Sequence, residues 1–146
     1  MDSVSFSIPV ISVGNLSVGG TGKTPHVEYL IRLLQYQYKV ATMSRGYKRA
    51  TRGFILANEK STFRTIGDEP MQFYSKFPDA YVSVAEDRMI GIPSLLQAAT
   101  DTDIIILDDA FQHRSVKPGL NILIMDVQRP FYKDFVLPYG RLRENR

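Results

Sequence analysis

Short apolar runs separated by amphipathic stretches form the pattern of this chain. The runs are rich in β-branched and aliphatic residues, and they predict strands over residues 9–13, 39–43, 53–57, 80–84, 103–107 and 121–125. After the first run, apolar residues recur at the spacing of one helical face, at Val27, Leu30, Ile31 and Leu34. Strands that alternate with helices predict an α/β domain with a mainly parallel sheet flanked by helices.

Two further helices are predicted over 68–77 and 88–99. In the second of these, Gly91 and Pro93 argue against a regular first turn, because both residues are poor helix formers. The runs at 103–107 and 121–125 are almost continuously apolar, which is typical of parallel strands covered on both faces.

Composition and charge exclude several classes of protein. The chain has 146 residues, of which 44% are hydrophobic and 23% charged, as in ordinary single globular domains. It has no cysteine, which excludes disulfides and thiolate metal sites. A formal net charge of +3 is too small to indicate nucleic acid, and none is expected as a partner. The basic residues form two clusters, which suit an anionic substrate or a membrane surface, with solvated loops as the alternative. One cluster is Arg45, Lys48, Arg49 and Arg52, and the other is Arg141, Arg143 and Arg146.

A glycine-rich segment at 14–24 follows the first predicted strand and precedes the first helix. Gly22, Lys23 and Thr24 fit the end of the P-loop pattern G-x-x-x-x-G-K-[ST], whereas Ser17 replaces its leading glycine. In such a loop, backbone N–H groups and the positive end of the helix face phosphates, the lysine adds charge, and the hydroxyl can bind Mg²⁺. An ordinary glycine-rich turn is the alternative. The predicted nucleotide-contacting residues of the segment are Asn15, Ser17, Gly19, Gly20, Thr21, Gly22, Lys23 and Thr24.

The apolar run at 104–107 ends in two carboxylates, the Walker B form. Asp108 and Asp109 are therefore candidates to hold Mg²⁺ directly or through water. A strand that ends in two aspartates is often structural, but its pairing with a P-loop favours the metal site. No Asn-Lys-x-Asp element for reading guanine occurs in the chain, so a P-loop NTPase-like fold that binds ATP is expected.

Five segments, in order, resemble the motifs of the tetraacyldisaccharide 4′-kinase family of lipid A biosynthesis, at residues 13–25, 44–47, 67–70, 107–114 and 138–144. The resemblance implies transfer of the γ-phosphoryl group of ATP to the 4′-hydroxyl of tetraacyldisaccharide 1-phosphate. It also implies a lipid A disaccharide precursor and the inner-membrane surface as partners, with peripheral localisation at the cytoplasmic face of the Gram-negative inner membrane.

The resemblance assigns roles to individual residues. It implies Asp68 as general base, Arg143 at the phosphates and Gln112 at the nucleotide. The remaining implied roles are substrate contacts by Arg45, Tyr47 and Glu69 and a metal contact by Glu144. The structural alternatives are a helix cap at Asp68, a turn at Gly46 with solvated neighbours, and a frayed tail at the C-terminus.

The family also implies a longer chain. Residues 1–146 are expected to be its P-loop nucleotide-binding domain, a fragment without the N-terminal membrane helix and without a C-terminal lobe whose histidine supports Asp68. Such a fragment is expected to transfer phosphate poorly by itself. A non-kinase P-loop ATPase or a nucleotide-binding regulatory module is the alternative, and neither would depend on Asp68.

Overall fold

The computed structural model describes residues 3–15, 22–108 and 115–128. The strands are β1 (Val10–Gly14), β2 (Val40–Ser44), β3 (Ile55–Leu56), β4 (Tyr81–Val84), β5 (Ile104–Asp108) and β6 (Leu120–Leu123). The helices are α1 (Lys23–Leu34), α2 (Phe63–Ile66), α3 (Asp68–Lys76) and α4 (Arg88–Ala98). Each predicted strand and helix is present, with bounds that differ by a few residues.

The six strands form one sheet in the order β3-β4-β2-β5-β1-β6. All neighbouring pairs are parallel except β3 and β4, so the predicted mainly parallel α/β fold is confirmed. The sheet buries every residue of β5, as its continuous apolar run predicts. The same prediction is wrong for β6. It is the outermost described strand on its side, and Leu120 and Leu123 are 53% and 39% exposed.

Alternate residues of the strands pack into two apolar cores, one on each face of the sheet. On one face, α1 contributes Val27 and Ile31 and α3 contributes Phe73, all fully buried. On the other face, α4 contributes Ile92 and Leu95. Burying one such aliphatic or aromatic side chain stabilises a fold by about 1.5–3 kcal/mol. These contacts fix the starts of α1 and α3 on the same side of the sheet.

The α4 helix corrects the expectation of an irregular first turn. The helix begins at Arg88, and the Asp87 side chain caps it by accepting a hydrogen bond from the Met89 N–H at 2.8 Å. Gly91 is favoured by packing rather than by flexibility, because a Cβ there would lie 2.7 Å from the Cβ of Ala85. Tertiary packing therefore outweighs the low helix propensity of this sequence.

Candidate active site

The P-loop strand and the Walker B strand are neighbours, and they end together. Val13 of β1 is in register with Asp108 of β5, and β2 pairs with β5 on its other side. Ser44, the last residue of β2, donates its hydroxyl to the Asp108 carboxylate at 3.4 Å. Carboxyl ends of parallel strands form the ligand crevice of open α/β sheets. Three of those ends meet here.

A cavity of about 1470 Å³ opens at this edge of the sheet. Its lining joins the ends of β1, β2 and β5 to the start of α1, the loop after β2 and the start of α3. The predicted site residues that line it are Asn15, Gly22, Lys23, Thr24, Arg45, Tyr47, Glu69 and Asp108. The structure therefore brings together every described site residue that the sequence predicts, with the exception of Asp68.

The first turn of α1 points its positive end into this cavity. The helix begins at Lys23, and Gly22 precedes it with φ +80°, a left-handed conformation. The first turn contains no acidic residue that would neutralise the helix dipole. Lys23, Thr24 and the positive end of the helix form an arrangement suited to a polyanion such as a triphosphate.

Asp68 is the first residue of α3, and it is exposed. Gly67 occupies the capping position, and no side chain caps the helix, so the interpretation of Asp68 as a helix cap is wrong. The next residue, Glu69, lines the cavity, whereas Asp68 lies beside the lining residues rather than among them. Both carboxylates lie in the first turn of α3, where negative charge interacts favourably with the helix dipole.

Two glycines connect the segments at 44–47 and 67–70. Gly46 has φ +77° and Gly67 has φ +97°. A Cβ on Gly67 would lie 3.1 Å from the Gly46 Cα, and a Cβ on Gly46 would lie 2.8 Å from the Ile66 carbonyl oxygen. Only glycine combines these backbone angles with so close an approach. The loop after β2 is therefore packed directly on the turn before Asp68.

The basic loop after β2 contains two kinds of cation. The exposed Arg45, Lys48 and Arg52 line the cavity, and Tyr47 is 72% exposed with the Lys48 ammonium 5.3 Å from its ring centre. Arg49 also belongs to the cavity lining, but its side chain is 3% exposed and is bonded within the protein. The four basic residues that the sequence groups together therefore differ in role, and Arg49 is the one that stabilises the loop.

Arg88 is a site-supporting residue that the sequence analysis missed. The side chain lies in the interior, 1% exposed, and donates hydrogen bonds to the carbonyl oxygens of Ala85 and Asp108, the latter at 3.3 Å. It thereby fixes the carboxyl end of β5, where the Walker B carboxylate lies. An arginine at a helix start is usually solvated, so no local signal distinguishes it.

Several predicted residues lie outside the described residues, and their roles stay predictions. They are Ser17, Gly19, Gly20, Thr21, Asp109, Gln112, Arg143 and Glu144.

Within ranges 3–15, 22–108 and 115–128, there is no group of three or more His, Asp or Glu side chains that could hold a metal ion. No helix in those same ranges has the length and apolarity required to cross a membrane.

Comparison with known proteins gives consistent matches over the whole chain. A tetraacyldisaccharide 4′-kinase from Phocaeicola vulgatus is 60% identical over 141 residues, which cover 95% of this chain and 38% of that protein. Another from Flavobacterium psychrophilum is 58% identical over 146 residues, covering 100% of this chain and 43% of that protein. The chain thus spans about two fifths of the length of these curated relatives.

A solved structure matches the fold as well as the sequence. The crystal structure of LpxK from Aquifex aeolicus in complex with ATP superposes with a TM-score of 0.90 at 41% sequence identity. The match covers 99% of this chain and 46% of that one. The family model described as tetraacyldisaccharide-1-P 4′-kinase matches residues 1–146, and the chain belongs to that family.

Proposed function

We propose that residues 1–146 form the P-loop nucleotide-binding domain of an enzyme that phosphorylates the 4′-hydroxyl of tetraacyldisaccharide 1-phosphate with ATP in lipid A biosynthesis. The observation that carries the proposal is the single cavity that Lys23, Thr24 and Asp108 share with Arg45 and Tyr47. One side of it suits a nucleotide and the other side suits an anionic acceptor. The names of the relatives and the ATP complex of the similar structure support this assignment.

The nucleotide side consists of α1 and the end of β5. The positive end of α1 and the Lys23 ammonium attract the β- and γ-phosphates. The Thr24 hydroxyl and the Asp108 carboxylate are hard oxygen donors, the type that Mg²⁺ prefers when it also binds substrate phosphates. When bound, Mg²⁺ neutralises charge on the transferring phosphoryl group. Asp109 and Glu144 are further proposed ligands, with Ser17, Gly19, Gly20, Thr21 and Gln112 proposed around the nucleotide.

The acceptor side consists of the basic loop and the start of α3. In the proposed reaction, the 4′-oxygen of the acceptor forms a bond to the γ-phosphorus, the bond from that phosphorus to the β,γ-bridging oxygen breaks, and ADP leaves. Asp68 takes the hydroxyl proton, while Glu69, Arg45 and Tyr47 hold the sugar and its anionic groups. Arg143 is proposed to stabilise charge on the phosphates. General-base assistance of this kind contributes about 10²- to 10⁴-fold to a rate.

A lipid acceptor places the enzyme at a membrane. We infer peripheral attachment to the cytoplasmic face of the bacterial inner membrane, where both ATP and the lipid A precursor are accessible. The exposed Arg45, Lys48 and Arg52 suit a phosphate-bearing lipid surface electrostatically.

Substitution of Asp68 in the complete protein tests this function. With labelled ATP and acceptor, Asp68→Asn should lower kcat by about 10²- to 10⁴-fold. ATP affinity should stay within about threefold of the wild-type value, because the phosphates are bound by α1 and the loop before it. The exposed Asp79, beyond the end of α3, provides the matched control Asp79→Asn, which should behave as wild type.

Two results would contradict the proposal at different levels. Full transfer by the Asp68→Asn variant would refute the general-base assignment. A wild-type protein that binds ATP but transfers nothing to the acceptor would exclude the kinase reaction and favour a non-kinase nucleotide-binding module.

A further inference from the structure

Arg49 differs from its basic neighbours because its guanidinium is bonded on several sides. It donates to the carbonyl oxygens of Arg45 at 3.2 Å and Gly53 at 2.7 Å, and to the Thr51 hydroxyl at 3.0 Å. It also forms an ion pair with Glu86 at 2.8 Å. Arg49 lines the cavity, but with 3% of its side chain exposed it is committed to these contacts rather than to a ligand.

These contacts close the loop from Arg45 to Gly53 on itself. The two carbonyl oxygens that Arg49 binds lie at the loop's two ends, and Glu86 also accepts the Gly53 N–H at 2.9 Å. Glu86 follows β4, the strand that neighbours β2 in the sheet. The Arg49–Glu86 pair therefore fastens both ends of the loop to the edge of the sheet that carries the active site.

Electrostatics support the ionised form of this pair. Partial burial works against the Glu86 carboxylate, but backbone N–H groups of Glu86 and Gly53 and the charges of Arg49 and Arg52 outweigh it and lower the pKa of Glu86. The pair is therefore charged at neutral pH.

The fastened loop also carries the turn that precedes Asp68. Thr51 accepts from Arg49 and donates to the Thr65 carbonyl oxygen, and the Ala50 N–H donates to the Arg64 carbonyl oxygen at 2.7 Å. The Gly46–Gly67 contact adds a third connection between the two segments. The loop at residues 45–53 and the turn at residues 64–67 thus form one packed unit, the platform. The acceptor-side residues of the loop lie at one end of it and Asp68 lies at the other.

We propose that Arg49, through Glu86 and Thr51, is a positioning residue that sets the acceptor-binding loop and Asp68 at a fixed separation. The inference rests on the proposed function. Arg49 touches neither nucleotide nor acceptor in this assignment, so its loss should affect acceptor use and leave ATP binding unchanged.

Arg49→Lys and Glu86→Gln in the complete protein test this role. Lysine keeps the positive charge but cannot reproduce a planar fork that binds four oxygens on different sides. Misplacement of reacting groups by about 1 Å can cost about 10²-fold, so Arg49→Lys should lower acceptor kcat/KM by about 10- to 100-fold. The affinity for ATP should stay within about twofold, since α1 is untouched. Arg64 joins the platform through its backbone carbonyl, which Arg64→Lys keeps, and Glu59 is exposed, so Arg64→Lys and Glu59→Gln are matched controls that should behave as wild type.

A double-mutant cycle and amide exchange complete the test. If the two residues act through one contact, the double variant should be little worse than Arg49→Lys alone. Hydrogen exchange in Arg49→Lys should accelerate over residues 45–53 and 65–68 but not over 23–34. Equal losses of ATP affinity and acceptor use, or kinetics and exchange equal to those of the Arg64→Lys control, would overturn the positioning role. A wild-type protein without transfer would refute the proposed function instead, and the exchange pattern would still decide whether Arg49 organises this platform.

Discussion

Glu28 offers a quantitative test of how α1 and α3 are held together. This carboxylate on α1 is 6% exposed and lies against α3. It accepts hydrogen bonds from the Gln72 amide at 2.5 Å and from the Lys76 ammonium at 2.9 and 3.1 Å, with Arg32 at 3.3 Å on its own helix. The two bonded helices are the ones that begin at Lys23 and Asp68.

Glu28→Gln removes the charge while keeping the shape of the side chain. Hydrogen bonds to charged groups contribute about 1.5–3 kcal/mol each. The Lys76 and Arg32 side chains are 48% and 55% exposed, so both regain hydration in the variant and their contribution must be discounted for solvent screening. We therefore expect the free energy of unfolding to fall by about 1–2 kcal/mol at pH 7.

The pH dependence has a defined sign. Burial opposes ionisation of Glu28, but the hydrogen bonds from Lys76 and Gln72 and the charges of Lys76 and Arg32 outweigh it and lower its pKa below 4.5. A lowered folded-state pKa adds stability that is complete above the unfolded-state value and is lost as pH falls through the folded-state value. The difference between wild type and Glu28→Gln should therefore be constant near neutral pH and shrink below pH 4.5.

Urea denaturation followed by far-ultraviolet circular dichroism, repeated from neutral to acidic pH, measures this difference. Glu59→Gln, at an exposed position, is the control for loss of an acidic charge. Equal stability of Glu28→Gln and wild type at pH 7 would refute the bridge between the helices. A difference that persists undiminished in acid would refute the assignment to the ionised carboxylate.

Substitutions at Gly46 and Asp108, with Gly53 as a control position, test the site. Gly46→Ala should cost about 1–3 kcal/mol of stability from its positive φ and its clash with the Arg49 side chain and the Ile66 carbonyl oxygen. Gly53 has φ +81° and no atom within 4 Å of an added Cβ, so Gly53→Ala should cost about 1–2 kcal/mol from the backbone angle alone. Denaturation of both variants measures the clash as the additional loss of stability in Gly46→Ala. Asp108→Asn should weaken Mg·ATP binding by at least about tenfold while binding without Mg²⁺ changes little. Calorimetry with and without EDTA checks this, and unchanged Mg²⁺ dependence would exclude Asp108 as a ligand.

The sequence by itself determined the elements that depend on local pattern. Apolar periodicity located the strands and α1, because a β-strand and an amphipathic helix expose their faces at fixed repeats. The P-loop and Walker B segments were recognisable for a similar reason, since phosphate and metal binding require particular residue types at particular spacings. That the strands bearing these two segments are direct neighbours is shown by the structure, in which β1 pairs with β5.

Long-range contacts decided what local pattern could not. β6 has the apolar composition of a central strand but lies at the edge of the described sheet, since strand order depends on pairing between segments distant in the chain. Arg49 and Arg88 look like solvated arginines in the sequence, and only the packing around them shows that they are buried. The contact of Gly46 with Gly67 likewise joins two motifs that are 21 positions apart, because the fold brings the loop after β2 onto the start of α3. Local sequence therefore specified the chemical groups of this site, whereas tertiary packing determined their mutual positions and which of them are free to meet a ligand.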